Sequence, residues 1–244
     1  MTRSFMAAVL ACGLAASTEA QDNNGPSERG WIIGGGLTAG TTAFTGAEGK
    51  AVAVGPVVDV QALPFGGGVL AERRLDLIDA SAPPPADAVH VATFPRSQGG
   101  GALTVHGGYA FSPRLALLAD VEVMTSVNDG FSNGVFAAVM RCRPVRRVWI
   151  EGGPAAGDLG YAYGDSATKS NSITGAGFLA AGGVSVLAKE RWTLDAQARY
   201  TKVWYPGFQA RNLSFGLSIG TVRSGTAAKP ESRAAARRDG ASRG

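Results

Sequence analysis

Cysteine, histidine and long hydrophobic runs are scarce in this chain of 244 residues. With two cysteines and two histidines, His90 and His106, neither a disulfide framework nor a metal cluster is predicted. Apart from residues 5–16, no stretch is uniformly apolar, which excludes a membrane protein built from spanning helices. The basic C-terminal residues, 224–244, include no aromatic residue, so no nucleic-acid partner is predicted.

Catalytic motifs are also poor. Residues 216–220 match the G-x-S-x-G pattern, but they lie in an alternating segment rather than at the strand-to-helix elbow that a nucleophilic serine needs. Neither histidine has a serine at a spacing that would pair the two side chains on a strand. We therefore predict no enzymatic activity and no cofactor.

Glycine is abundant, with 35 residues, about twice the usual share. In the second half of the chain, apolar and small residues alternate with polar ones. Leu117 and Val121, for example, alternate with Asp120 and Glu122. Alternation with a period of two predicts strands that have one apolar and one polar face. Strands of about ten residues with charges on the polar face are typical of a closed barrel in a lipid bilayer.

The two ends of the chain differ from this pattern. Arg3 precedes an apolar run and small residues precede Gln21, so residues 1–20 are predicted to be a cleaved signal peptide for export to the outer membrane. Residues 21–29 are a polar lead-in. Residues 224–244 form a basic tail whose Ala, Gly, Ser and Arg composition predicts disorder.

The connections between the alternating segments are of two kinds. Short ones lie at residues 112–113, 144–146 and 189–191, and long ones at 45–101, 126–133, 158–172 and 205–210. This asymmetry predicts that residues 30–223 form an all-β, closed antiparallel transmembrane barrel of eight strands. Such a barrel has short periplasmic turns, long external loops and both termini in the periplasm.

The first long connection, residues 45–101, leaves an alternative open. Its apolar segments 51–63 and 69–78 form either a hairpin outside the barrel or two further strands of a ten-stranded barrel. Eight strands are favoured because the charged residues 72–74 would otherwise meet lipid, at about 2–4 kcal/mol for an Arg at the midplane. The prolines at 83–85 exclude strand interior from residues 81–95.

Turning the apolar faces toward lipid sends a balanced set of charges inward. The members of this set are Asp120, Glu122, Arg141, Arg143, Arg147, Glu151, Asp195 and Arg199. The interior of an eight-stranded barrel is just wide enough to be filled by side chains, and buried charges need partners. We therefore predict an ion-pair network that closes the lumen. The alternative is that several of these charges lie at the rims, in water.

Aromatic residues cluster near the predicted strand ends. They are Trp31, Tyr109, Phe111, Trp192, Trp204 and Tyr205. Trp and Tyr are enriched at membrane–water interfaces, so these side chains are predicted to contact lipid headgroups. The alternative is ordinary core packing.

Four short motifs combine glycine with aromatic and apolar residues. They are GWIIGGG at 30–36, GGYAFSPRL at 107–115, WIEGG at 149–153 and LSFGL at 213–217. In these motifs residues 30–223 resemble the small outer-membrane β-barrel proteins of the OmpA/OmpX-like group. Barrels of that group usually end at an aromatic residue that the assembly machinery recognises. Here the last strand ends near Val222, and Phe215 could serve internally.

These patterns predict a monomeric integral outer-membrane protein whose partners are outer-membrane lipids and the assembly machinery. Its role would be structural, barrier-forming or one of surface recognition. The alternatives are a soluble periplasmic or secreted barrel that binds a small apolar ligand, and a narrow diffusion porin. Inside–outside polarity separates the soluble alternative from the others, because a soluble barrel is apolar inside and charged outside.

Overall fold

The computed structural model describes residues 29–62, 69–126, 130–145, 147–161, 168–170, 172–189 and 192–224. The predicted signal peptide, most of the polar lead-in and residues 225–244 of the basic tail lie outside these ranges. No helix in the described ranges is long and apolar enough to cross a membrane.

Eight strands form a closed barrel in which each strand pairs with its neighbours. They are β1 (Gly30–Thr45), β5 (Ser97–Ser112), β6 (Leu115–Ser126), β7 (Phe131–Val145), β8 (Val148–Tyr161), β10 (Ile173–Ala188), β11 (Trp192–Tyr205) and β12 (Phe208–Ser224). All eight pairings are antiparallel. The predicted eight-stranded antiparallel barrel is therefore confirmed.

The barrel closes through β1 and β12, the first and last strands. They pair without a register shift from Gly30 opposite Ser224 to Thr45 opposite Gln209. Residues 30 and 224 therefore lie at one end of the barrel, together with the turns that follow β5, β7 and β10. We call this the short-turn end, and the opposite end the loop end.

Four further strands form a separate sheet at the loop end. They are β2 (Lys50–Ala62), β3 (Val69–Asp79), β4 (His90–Thr93) and β9 (Thr168–Ser170), in the order β4-β2-β3-β9. The segment 51–78 is thus a hairpin outside the barrel, and the ten-stranded alternative is wrong. Strand β4 lies in the stretch where prolines were predicted to exclude strand; it forms after them, at the sheet edge, where fewer ladder bonds are needed.

Two of the predicted long connections are shorter in the structure. Strands β11 and β12 are joined by Pro206 and Gly207 alone, and Gly207 has a φ of 79°, which favours glycine. Strand β8 continues to Tyr161 because Leu159 still points into the barrel and is buried. Asp158 and Gly160, on either side of Leu159, made the segment resemble a loop in the sequence.

Candidate functional site

The barrel is apolar outside and polar inside. Leu37 on β1 leaves 71% of its surface exposed, while Thr38, next along the strand, is buried. On β6, buried Asp120 and Glu122 alternate with exposed Val121 and Val123. Other buried polar and charged side chains are His106, Arg141, Glu151, Asp195, Gln197, Arg199, Thr201, Asn212, Ser214 and Ser218.

Arg199 of β11 lies at the centre of the polar interior. Its Nη2 donates to Oδ1 of Asp120, and its Nε lies 3.3 Å from Oε2 of Glu122. Its Nη1 lies 3.6 Å from Oε1 of Glu151. These four side chains are at most 1% exposed. One guanidinium therefore joins carboxylates from β6, directly across the lumen from β11, and from β8, two strands away.

A second arginine extends the cluster toward the short-turn end. Arg141 Nε lies 2.7 Å from Glu151 Oε2, and its guanidinium carbon lies 4.2 Å from the ring centroid of Trp149. The Trp149 indole in turn donates from Nε1 to Asp195 Oδ2 at 3.1 Å. We call Asp120, Glu122, Arg141, Glu151 and Arg199, with Trp149 and Asp195, the lumen cluster.

Trp149 needs a glycine beside it. It is fully buried, and a Cβ atom built on Gly183 of β10 would stand 2.6 Å from Cε2 of its indole. A side chain at position 183 would therefore displace the indole from Asp195. Glycine at this inward position makes room for the largest fully buried side chain of the barrel's described residues.

Hydroxyl groups and amides complete the polar interior. The hydroxyls of Thr201 and Ser214 donate to Glu122 at 3.4 and 3.3 Å. Other buried polar atoms have no hydrogen-bond partner within the described protein, including both ring nitrogens of His106 and the side-chain amides of Gln197 and Asn212. Buried polar atoms of this kind bind water in protein interiors.

The structure places two predicted network residues elsewhere. Arg143 is half-buried beside a small recess at the short-turn end, and Arg147 is exposed in the turn between β7 and β8. The β7–β8 register shifts between Cys142 and Val145, so the regular alternation that carries Arg141 inward ends there. The buried part of the predicted set then contains four carboxylates and two guanidiniums, rather than a balanced set.

Apolar clusters flank the charges. Toward the loop end, Phe44, Phe131, Leu159, Tyr205 and Phe208 pack together with Val52 of the outer hairpin. The second cluster reaches the short-turn end and consists of Ile32, Ala110, Ala116, Leu118, Ala137, Val139 and Leu179. The phenylalanine cluster was not predicted, although Phe131 and Phe208 continue the inward period of β7 and β12.

The predicted interfacial aromatics lie on the barrel in two groups, one at each end, and a single residue does not fit either group. Trp31, Tyr109 and Phe111 line the outer wall at the short-turn end, with successive ring centroids 5.6 Å apart. Half-buried Trp192 lies at the same end, and exposed Trp204 lies on the outer wall at the loop end. The sequence did not single out Phe178, whose ring centroid lies 5.9 Å from that of Trp204.

Tyr205 is the exception, and its predicted contact with headgroups is wrong. It is 5% exposed, its hydroxyl donates to Asn133 Oδ1 at 2.8 Å, and its ring stacks on Phe208. Adjacent residues of a strand point to opposite faces, so Trp204 and Tyr205 cannot both face lipid. Thr201 and Val203 are buried, and Tyr205 continues the same every-second-residue pattern, so it points inward.

Searches for related proteins found no matching family model and no matching curated protein. Among solved structures, the chain is similar to Neisserial surface protein A, with 12% identity and a TM-score of 0.45 over 79% of this chain and 97% of that one. It is also similar to the outer membrane protein OprG from Pseudomonas aeruginosa (10% identity, TM-score 0.39, 82% and 99% covered). A third is Ail, the attachment invasion locus protein of Yersinia pestis, in complex with the heparin analogue sucrose octasulfate (10%, 0.32, 77% and 98%). These neighbours are small outer-membrane barrels, the group that the sequence motifs resemble.

Proposed function

We propose that this chain is an integral outer-membrane barrel with a closed, salt-bridged lumen and a structural, barrier or surface-recognition role. The observation that carries the proposal is the inverted polarity of the barrel. Large apolar side chains such as Leu37, Phe136 and Phe215 are exposed on its outer wall, whereas its ion pairs are fully buried. Apolar surface is unfavourable in water by about 25 cal/mol per Å², so a wall of this composition fits a bilayer.

The lumen cluster supports the closed lumen. An eight-stranded barrel leaves room for little more than its own side chains, and here those side chains bond to each other across the axis. The soluble-carrier alternative needs a dry apolar cavity. The charged interior of this barrel argues against such a cavity.

A surface-recognition role would belong to the loop end. The outer sheet of β2, β3, β4 and β9 packs on the loop end through Val52 and exposes Val89 and Val91 beside its edge. Segments carried on a rigid scaffold commonly hold binding residues. The tie between β3 and β9 joins two different loops, which gives such a surface a fixed shape.

Tryptophan quenching tests the membrane assignment. We expect brominated acyl chains to quench strongly a variant that retains Trp31, which is 62% exposed on the outer wall. A matched variant that retains Trp149 should be quenched much less, because that indole lies inside the barrel. Each variant carries phenylalanine at the other three tryptophan positions. Folding is checked by the shift in gel mobility between unheated and heated samples.

The membrane assignment would be wrong if the brominated chains did not quench the fluorescence of Trp31 in the folded protein. Acrylamide, a quencher dissolved in water, provides the complementary measurement. If acrylamide quenched Trp31 strongly and the brominated lipid quenched it weakly, the barrel would be soluble.

Planar-bilayer recordings test the closed lumen. We expect no large, steady channels from the native protein, because Arg199 holds carboxylates across the lumen and Arg141 fills it beside Glu151, its partner on the adjacent strand. Replacing both members of one pair, Arg141→Ser with Glu151→Ser, leaves the net charge unchanged and removes the bridge. This double variant should conduct more than the native protein. Steady conductance of the same size from both proteins would instead support the narrow-porin alternative.

A further inference from the structure

Two cations stand side by side on the outer wall at the loop end. Lys202 of β11 and Arg211 of β12 are directly opposite each other across the strand pair. Both point outward, because their neighbours Val203, Ala210 and Asn212 are buried in the barrel. Lys202 is half-buried against the wall, and Arg211 is exposed.

The positions around this pair carry no compensating carboxylate. Phe178 of β10 lies opposite Lys202 on its other side, and Ala43 of β1 lies opposite Arg211. No ion pair to either cation occurs within the described part of the chain. Like charges directly opposite each other destabilise a sheet, so an anion from outside the chain would stabilise this pair.

Aromatic rings place the pair at the depth of lipid headgroups. Lys202 Nζ lies 4.8 Å from the ring centroid of Trp204, which is exposed one step nearer the loops. Phe178 contacts both Trp204 and Tyr200, with ring centroids 5.9 and 5.8 Å away. Indole rings beside long cationic side chains, whose stems lie along apolar surface, are typical of the membrane–water interface.

We propose that Lys202 and Arg211 bind a phosphate monoester on the headgroup of a lipid in the leaflet at the loop end. This inference rests on the proposed membrane function. An arginine fork binds two phosphate oxygens and the lysine adds a second charge. A monoester carries a charge of about −1.5 to −2 near neutral pH, which matches two cations better than a singly charged phosphodiester does.

The source of the phosphate is a lipid rather than a free ion. Lys202 and Arg211 lie on the convex wall of the barrel, not in a cleft, so a small ion would gain little enclosure. A lipid bound at this place also lays its chains along neighbouring outward residues. Leu213 and Phe215, on the same face of β12, are exposed there.

The test uses the full chain, with Trp204 as the only tryptophan, in phosphatidylcholine vesicles. Brominated phosphatidic acid, a monoester, is compared at equal mole fraction with brominated phosphatidylglycerol, a diester. We expect phosphatidic acid to be enriched around Trp204 on the order of tenfold, the effect of one hydrogen bond to a charged group. Lys202→Gln with Arg211→Gln should abolish this preference.

A matched control carries the same two changes at the opposite end of the barrel. Arg147→Gln with Lys189→Gln removes one arginine and one lysine that are exposed at the short-turn end. This variant should keep the preference for phosphatidic acid. Equal loss in both variants would reduce the effect to net charge and overturn the proposed site.

The remaining outcomes separate the two proposals. No quenching by brominated phosphatidylcholine in the folded protein would refute the membrane function itself. Quenching by that lipid without a monoester preference would refute the phosphate site alone. Full competition by excess inorganic phosphate would show that the site takes the free ion, and the lipid assignment would be wrong.

Discussion

Replacing Arg199 with methionine should lower the free energy of unfolding by about 3–5 kcal/mol, the usual effect of breaking a buried ion pair. The change leaves Asp120 and Glu122 buried without their guanidinium, and a buried carboxylate without a partner is costly. Urea titration of the protein refolded into lipid vesicles, followed by tryptophan emission, measures the difference. Methionine keeps most of the side-chain volume, so the change reports charge rather than a cavity.

Two further variants show whether the effect belongs to the lumen cluster. Adding Asp120→Asn and Glu122→Gln to the Arg199 variant removes the stranded charges and should restore a substantial part of the lost stability. Arg147→Met, exposed at the rim, should change stability by no more than about 0.5 kcal/mol. If Arg199→Met proved as mild as Arg147→Met, the buried ion pairs would not hold the barrel together.

Replacing Leu37 with arginine should lower stability in vesicles by about 2–4 kcal/mol. Leu37 lies midway along β1, faces outward and pairs with Leu103 and Leu217, so it marks the middle of the apolar wall. An arginine there cannot reach water without deforming the bilayer. The same titration in vesicles measures the effect.

Val145→Arg is the matched control for that substitution. Val145 is also exposed, but it ends β7 at the short-turn end, where an arginine costs about 0–1 kcal/mol. A soluble barrel would tolerate both changes equally, because arginine at an exposed position in water is nearly neutral. Equal effects at positions 37 and 145 would therefore contradict the membrane assignment.

The sequence was informative wherever one strand determines its own faces. The alternation around Asp120 and Glu122 predicted the correct orientation of β6, and the charges at 72–74 favoured the correct strand count. The orientation of Tyr205 was predicted wrongly, because its position near a strand end was given more weight than the alternation of faces along β11. Burial of Thr201 and Val203 on the same face corrects it.

Other features could not be predicted from one strand at a time. Arg199 bonds to residues 77 and 79 positions away, on a strand that is not its neighbour in the sheet. Such a contact depends on the tilt and stagger of the whole barrel. Arg143 and Arg147 were misplaced for a related reason, because a register shift in the β7–β8 hairpin is not visible in their residue types.

The pairing of β1 with β12 places both ends of the barrel chain on the same side of the membrane, so the two sides of the molecule differ. Gly30 and Ser224 are paired neighbours. An affinity tag placed before the first strand would therefore lie in the same compartment as a tag placed after the last strand. An epitope inserted at Ala86, in the exposed connection between β3 and β4, would emerge in the other. The fold thus separates an anchoring side from a display side, and antibody access to intact cells distinguishes them.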